Sequence, residues 1–220
     1  MKPARYDGVA AWYGEFRPAL SSDEIDVLQR LLGHGPGRCL DLGCGTGVAL
    51  EPLRALGWSV VGADVSEDLL DVARKRGLDA VVAPAEALPF DDASFDAAVS
   101  IWTHTDVDDF GTALSEISRV LRRDAPFVYM GAHPCFVGPH SRFIEAKGVP
   151  TLHEGYRTVG RYDDGPAIGP DGLRARVGAT HLPLGLFVQA FLDAGFRLER
   201  FEELGSREYP YVVALRCRRP

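Results

Sequence analysis

Short apolar runs that alternate with amphipathic stretches constrain the fold of this chain more than any other feature. The five runs lie at 38–42, 59–63, 79–83, 95–101 and 127–131. Stretches with helical periodicity separate most of them, at 48–56, 67–76 and 110–121. Strand and helix in repetition imply parallel strand pairing, with helices covering both faces of the sheet. The pattern therefore predicts an α/β, doubly wound fold.

The segments that flank this pattern complete the predicted architecture. Ser21 and Glu24 form a capping-box pattern that opens a predicted helix at 21–33, inside an N-terminal helical arm of residues 1–36. Near the other end, a helix and two strands are predicted at 184–194, 196–204 and 210–218. We therefore expect a seven-stranded, mostly parallel sheet.

Residues 132–182 interrupt the rhythm, because they are rich in Gly, Pro and His and show no clear period. They offer too few periodic apolar positions for a second core, so we predict an insertion within a single domain of residues 1–220. A loop of this length in a compact domain is usually functional. Since it leaves the fifth strand, we expect a substrate lid; a sheet extension or a homodimer contact remains the alternative.

A glycine loop between the first strand and the first helix is the strongest candidate for a binding site. It reads CLDLGCGTG and contains Gly43, Gly45 and Gly47. Such a turn borders the crevice where open parallel sheets bind ligands, and glycine lets the backbone touch the ligand. Asp41 could hold a ligand ammonium or an ordered water. Asp64 ends the second strand, where a carboxylate accepts hydrogen bonds from ribose hydroxyls.

Two other kinds of nucleotide-binding loop do not fit these residues. The dinucleotide fingerprint requires a third glycine three residues after the second, and this chain has Val48 there. A phosphate-binding P-loop requires Gly-Lys-Ser/Thr, and no Lys or Arg occurs between Cys39 and Leu53. The loop therefore matches neither kind of site.

Four stretches in order resemble the class I S-adenosylmethionine (SAM)-dependent methyltransferases, in particular those that act on small molecules. They are YDGVAAWYGEFRP, LDLGCGTG, GADVS and AEALPFDDASFDAAVS, followed by EISRVLRR. The likeness covers residues 1–131 well and the C-terminal part more loosely. It implies a Rossmann-like methyltransferase fold with SAM as the cofactor.

The resemblance also implies which residues would hold the adenosine part of SAM. Asp64 would take the ribose and Val65 would pack on the adenine ring. Ala85 and Glu86 match the turn that meets the adenine edge in the family. Pro84 departs from the family, which often has an aspartate there, so the contact to the adenine amino group falls to Ala85 or Glu86.

At the methionine end, the resemblance implies contacts from the glycine loop, the N-terminal arm and the loop after the fourth strand. Tyr13 and Arg17 lie in the arm, and Ile101 and Trp102 begin the loop. Trp102 is a candidate for a cation–π contact with the sulfonium, worth about 0.5–2 kcal/mol; core packing is the alternative. The loop reads SIWT and lacks the (D/N/S)-P-P-(F/Y) motif of nucleic-acid amine methyltransferases, which disfavours that class.

Three histidines are candidates for a general base, because an imidazole titrates near neutral pH. They are His104, His133 and His140. The first two follow strand ends, where reacting groups gather in this type of sheet. For each of them, a structural or solvent-exposed role is the alternative.

Charge and composition indicate which kinds of binding partner the chain is expected to have. The formal net charge is −7, which disfavours nucleic acid and anionic membranes as partners. No long apolar run or signal-peptide core is seen, so we expect a cytoplasmic protein. The four cysteines lack zinc-site spacing, so we expect no metal.

We therefore predict an enzyme that transfers a methyl group from SAM to an O, N or C atom of a small organic molecule. A bacterial natural product, and hence secondary metabolism, is the expected context. Two alternatives stay open: a SAM-dependent cyclisation or decarboxylation, and an accessory protein that binds the ligand without catalysis.

Overall fold

The computed structural model describes residues 4–136, 141–142, 151–152, 155–164, 172–205 and 209–220. In chain order the strands are β1 (Arg38–Leu42), β2 (Ser59–Asp64), β3 (Asp79–Val82), β4 (Ala97–Ile101), β5 (Pro126–Ala132), β6 (Ser141–Arg142), β7 (Thr151–Leu152), β8 (Gly160–Tyr162), β9 (Ala179–His181), β10 (Arg197–Leu204) and β11 (Val212–Arg218). The helices are α1 (Ala10–Phe16), α2 (Ser22–Leu31), α3 (Leu50–Ala55), α4 (Glu67–Lys75), α5 (Phe110–Val120), α6 (Leu173–Val177) and α7 (Leu184–Asp193).

Seven strands form the central sheet, in the order β3-β2-β1-β4-β5-β11-β10. The first five are parallel, and β11 pairs antiparallel with both β5 and β10. The strand order reverses between β1 and β4, which creates the crevice where such sheets bind ligands. The seven-stranded, mostly parallel sheet predicted from the sequence is confirmed.

Helices cover both faces of this sheet, as the alternation of strand and helix predicts. One buried cluster unites Leu28 of α2 and Leu53 of α3 with Val99 of β4. The other unites Leu114 of α5 and Phe187 of α7 with neighbouring strand residues that point the opposite way. Since burial of apolar area is the main driving force of folding, this double packing holds the strand ends rigidly in place.

Local signals in the sequence explain where the helices begin. The side chain of Ser21 accepts a hydrogen bond from the Glu24 N–H, and the Glu24 carboxylate accepts one from the Ser21 N–H, so the predicted capping box is formed. Ser66 caps α4 in a similar way, by accepting from the Leu69 N–H. The long helices and central strands lie within a few residues of their predicted bounds.

The segment 132–182 contains regular structure that its sequence does not reveal. Strands β6 and β7 pair antiparallel, β8 pairs antiparallel with β9, and α6 lies between the latter two. Elements of two to five residues are too short to produce a readable period. Of the helices that the structure describes, none combines the length and apolar character needed to cross a bilayer.

Candidate functional site

A crevice of about 470 Å³ opens at the carboxyl ends of β1, β2 and β4. The glycine loop, the ends of β2 and β3, the loop after β4 and the N-terminal arm surround it. Its lining residues are Ala4, Arg5, Tyr6, Tyr13, Leu42, Gly43, Gly45, Ala63, Asp64, Val65, Leu69, Ala83, Pro84, Ala85, Glu86, Ile101, Trp102, Thr103, Asp106, Val107, Asp108 and Arg161. The crevice therefore brings together most of the predicted cofactor-binding residues.

The glycine loop approaches the crevice with backbone conformations that suit glycine. Gly43 and Gly45 line it at φ of +71° and +52°. A Cβ atom on Gly43 would overlap Cγ2 of Thr103, so glycine is needed there for space as well as for conformation. Gly47 is placed elsewhere: a Cβ atom there would lie 3.3 Å from Cβ of Ala73, because this third glycine packs against α4.

Asp64 sits at the end of β2 with both carboxylate oxygens engaged by the backbone. The Gly45 N–H donates to one oxygen at 2.9 Å, and the Ser66 N–H donates to the other at 2.9 Å. Burial raises the pKa of Asp64, while the backbone hydrogen bonds from Ser66 and Gly45 favour the charged form. The carboxylate is thus held in one orientation at the crevice wall and retains lone pairs for a ligand.

Asp41 is a buried carboxylate with one oxygen that makes no hydrogen bond to the described residues. It lies beside the crevice in a cavity of about 20 Å³ that Tyr13, Arg17 and Thr46 also line. Asp41 is only 2% exposed, yet its Oδ2 atom, like Oγ1 of Thr46, has no hydrogen-bond partner among the described residues. Burial, followed by the charge of Asp64, raises the pKa of Asp41 to about 7. Such orphaned buried groups are rare and call for a ligand or water.

The N-terminal arm covers the crevice and is tied to the first turn of α4. The Gly8 N–H donates to Asp68 at 2.7 Å, and the Ser66 hydroxyl donates to Asp7 at 2.8 Å. These contacts carry Tyr6 and Tyr13 over the crevice, where their rings pack edge to face with centroids 5.0 Å apart. The arm thereby shields the crevice from solvent.

A partly buried ionic cluster joins the arm, the loop after β4 and helix α6. Arg174 donates to Asp106 and to the Thr105 hydroxyl, both at 2.6 Å, and Asp106 also accepts from Tyr6. Arg5 pairs with Asp108 in the same region. The part of Arg174 in this cluster is not predictable from the sequence, since no local pattern connects it with a partner 68 residues away.

The residues expected at the adenosine end all line the crevice. Val65 is 43% exposed there, so it presents apolar surface to the crevice. Ala85 and Glu86 follow Pro84 along the same wall. The Glu86 carboxylate accepts a hydrogen bond from the Asp109 N–H at 3.3 Å, which links this wall to the start of α5.

Trp102 lines the crevice but already has a cationic partner. The guanidinium of Arg17 lies 5.3 Å from the centroid of its ring, and its indole N–H donates to Glu24 at 2.7 Å. Trp102 adopts a φ of +64°, which is uncommon for a bulky residue. In this structure the cation over the tryptophan is therefore Arg17.

His104, a candidate base, lies outside the crevice lining. It is 2% exposed, bonds through Nδ1 to the Tyr129 hydroxyl, and packs against Phe110 and Phe187. Burial, assisted by the charge of Arg174, lowers the pKa of His104 to about 3, so the ring is neutral near pH 7. This is the environment of a packed core histidine, and we do not assign the base to it.

His133 has partners at both ring nitrogens. Its Nδ1 atom accepts from the Cys135 N–H at 3.1 Å, so Nε2 carries the proton and donates to Glu203 at 2.7 Å. These bonds anchor the end of β5 to β10. His140 lies outside the described residues.

Among the residues that the structure describes, no group of three or more His, Cys, Asp or Glu side chains is arranged to hold a metal ion.

Comparison with known proteins finds similarity to methyltransferases. A family model described as "Methyltransferase domain" matches residues 40–129, which span β1 to β5. An S-adenosylmethionine-dependent methyltransferase from Mesorhizobium loti superposes with a TM-score of 0.73 at 25% identity, covering 97% of this chain and 99% of that one. The domain match and the fold together support a class I SAM-dependent methyltransferase.

Other proteins with a similar sequence or fold carry different names. The demethylmenaquinone methyltransferase of Renibacterium salmoninarum is 35% identical over 144 residues, or 62% of this chain and 60% of the relative. The chain thus spans about three fifths of that relative's length. A cyclase, SpnF, shares the fold with a TM-score of 0.65 at 20% identity, over 90% of this chain and 81% of that one.

Proposed function

We propose that the chain transfers a methyl group from SAM to a small organic molecule, and that the crevice is the SAM site. The observation that carries the proposal is a carboxylate oxygen of Asp41, which is buried beside the glycine loop and has no hydrogen-bond partner among the described residues. A buried charge needs a partner of opposite sign or a hydrogen-bond donor. The ammonium group of SAM supplies both, which favours SAM over a neutral ligand.

The rest of the crevice fits the other parts of SAM. Arg17 borders the cavity next to Asp41, so the methionine carboxylate has a cation within the same pocket. Asp64 offers a fixed carboxylate for the ribose hydroxyls. Val65 and Ala85 offer apolar surface for the adenine ring. A volume of about 470 Å³ lies in the usual range for sites that hold ligands of this size.

The described residues favour catalysis by positioning. When bound, SAM would supply an electrophilic methyl carbon for in-line attack by the acceptor, with SAH as the leaving group, so alignment of the acceptor matters more than strong polar groups. The arm with Tyr6 and Tyr13 excludes water, and Asp106 with Arg174 fixes the loop after β4. We propose that this loop, the arm (1–36) and the insertion (132–182) of a single domain select the acceptor.

The acceptor to test first is a hydroquinone-type aromatic molecule, methylated on carbon, since another relative is named a ubiquinone/menaquinone biosynthesis C-methyltransferase. The support is the name of the Renibacterium relative, whose acceptor is a demethylmenaquinone, and not a natural product of secondary metabolism. The aromatic side chains Tyr6, Tyr13 and Trp102 in the crevice lining are compatible with a flat ring.

Calorimetry with SAM, S-adenosylhomocysteine (SAH) and NAD tests the cofactor. We expect SAM and SAH to bind and NAD not to bind. Mass spectrometry of reactions with a reduced demethylmenaquinone analogue then tests the transfer, since one SAH should form for each methylated product. If NAD binds and SAM does not, the proposal is wrong.

Replacing Asp64 by asparagine should weaken SAM binding about 10- to 100-fold, the value of a lost charge-assisted hydrogen bond. The amide cannot accept from both the Gly45 and the Ser66 N–H, so the ribose acceptor also loses its orientation. Calorimetry measures the effect. Asp71→Asn is the matched control, because Asp71 is exposed on α4 away from the crevice. Equal affinity of both variants would contradict the ribose role of Asp64.

A further inference from the structure

We propose that Glu24 is a positioning residue, which holds Trp102 and Arg17 at the methionine end of the crevice through the capping box of α2. The inference rests on the proposed SAM site and adds a residue that does not line the crevice. Its basis is that one carboxylate oxygen of Glu24 bonds to the helix cap, whereas the other bonds to Arg17 and Trp102.

The oxygens of Glu24 serve different purposes. Oε2 accepts from the backbone N–H of Ser21 at 2.8 Å and from the Ser21 hydroxyl at 3.0 Å, which forms the helix cap. Oε1 accepts from Nη2 of Arg17 at 2.6 Å and from the indole N–H of Trp102 at 2.7 Å. One side chain thus connects the start of α2 to both elements that border the methionine end.

This carboxylate is well placed to act as a charged anchor. Its side chain is only 12% exposed, so the bonds to Arg17 and Trp102 are largely shielded from water. Burial alone would raise the pKa of Glu24, but the Arg17 guanidinium and the hydrogen bonds from Ser21 hold it below its usual range. The group is therefore ionised at neutral pH and attracts both donors.

Trp102 supplies an independent observation. Its φ of +64° is costly for a bulky residue, and such strain persists only where the surroundings enforce it. The backbone N–H of Trp102 donates to the Met130 carbonyl at 2.7 Å, which fixes the backbone. Glu24 accepts from the indole N–H, and Arg17 covers the face of the ring. The indole is thus held in one orientation where it lines the crevice.

Glu24→Gln separates the two purposes of the side chain. Glutamine is accepted in a capping box, with its oxygen toward the Ser21 N–H. Its NH₂ group then faces the N–H donors of Arg17 and Trp102, so both bonds on that side are lost. Ser21→Ala is the matched control, because it removes the serine side of the cap and leaves Arg17 and Trp102 untouched.

Two measurements decide the proposal. In the ¹⁵N–¹H spectrum of the free protein, the three tryptophans give three indole signals, and Trp102→Phe identifies that of Trp102. We expect Glu24→Gln to shift this signal and to speed its exchange with water. By calorimetry, we expect Glu24→Gln to weaken SAH binding about tenfold, as the loss of charge-assisted bonds that orient a binding group implies. Ser21→Ala should lower the urea midpoint but change neither quantity.

The possible results are distinct. An unshifted Trp102 signal, or unchanged SAH affinity in Glu24→Gln, would overturn the positioning role. Equal loss of affinity in both variants would also overturn it, because the effect would then follow helix stability. If the unaltered protein fails to bind SAH, the proposed function is wrong, and the indole spectrum alone reports on the link between Glu24 and Trp102.

Discussion

Replacement of Gly43 by alanine is expected to destabilise the protein and to abolish SAM binding. The left-handed conformation at φ +71° costs an L-residue about 1–2 kcal/mol. The new Cβ atom would also overlap Cγ2 of Thr103, and overpacking of this kind costs about 1–3 kcal/mol. Thr103 cannot turn away freely, because its hydroxyl is bonded to that of Ser100. We expect a total loss of about 2–5 kcal/mol in the free energy of unfolding.

Urea unfolding and SAH calorimetry measure both effects. Gly33→Ala is the matched control, since Gly33 has a similar φ of +77° but open space around a Cβ atom. The control should lose only the conformational term, about 1–2 kcal/mol, and should bind SAH normally. Thr103→Ser removes Cγ2 and should restore part of the stability to Gly43→Ala. If Gly43→Ala is no less stable than Gly33→Ala, the close approach to Thr103 is not what requires glycine.

The part of the site that could be predicted from sequence consists of residues whose roles follow from local spacing. Asp41, Gly43, Gly45 and Asp64 all sit at the ends of two neighbouring parallel strands. In a sheet of this type those ends meet at one edge, so the order of strands and helices is enough to bring them together. The central strands were equally predictable, because they are buried on both faces and read as continuous apolar runs.

What could not be predicted depends on contacts between distant parts of the chain. Gly47 belongs to the same loop as Gly43, yet it faces α4, because Ala73 occupies the space beside it. The spacing from Ser21 identifies Glu24 as a capping residue. Nothing in the spacing shows that its other carboxylate oxygen accepts a hydrogen bond from the indole N–H of Trp102. Arg174 likewise reaches Asp106 across many residues without a local signal.

The histidines illustrate the same limit for chemistry. Their positions after strand ends are compatible with a general base, and the ring type is suited to it. In the structure, Tyr129 bonds to Nδ1 of the buried His104, and Glu203 and Cys135 bond to the two ring nitrogens of His133. A residue type and a position do not reveal which lone pairs are free.

Asp41→Asn is expected to change the pH dependence of both stability and SAH binding. In the folded protein, burial and the charge of Asp64 raise the pKa of Asp41 from 3.8 to about 7. Between these values the folded state binds more protons than the unfolded state, so the contribution of Asp41 to stability falls as pH rises from about 4 to about 7. The difference between these two pKa values corresponds to a loss of at most about 4 kcal/mol in the free energy of unfolding at high pH.

The neutral side chain removes this penalty. Relative to the unaltered protein, Asp41→Asn should be equally stable near pH 4 and more stable above about pH 7. The difference between the two proteins is the quantity to measure, because His104 acts in the opposite sense. The pKa of His104 is lowered from its ordinary value of 6.5 to about 3. The contribution of His104 to stability therefore falls as the pH decreases below about 6.5. His104 is present in both proteins and cancels in the difference.

Binding should respond in the opposite direction from stability. If Asp41 receives the ammonium group of the ligand, only its ionised form binds tightly, and the affinity for SAH should rise as pH increases through about 7. Asp41→Asn should bind more weakly at about pH 8 and show little change with pH, although its fold is more stable there. Urea unfolding and calorimetry at about pH 5 and about pH 8 test both halves. A variant that is more stable and also binds SAH more tightly at high pH would show that Asp41 does not face the ammonium.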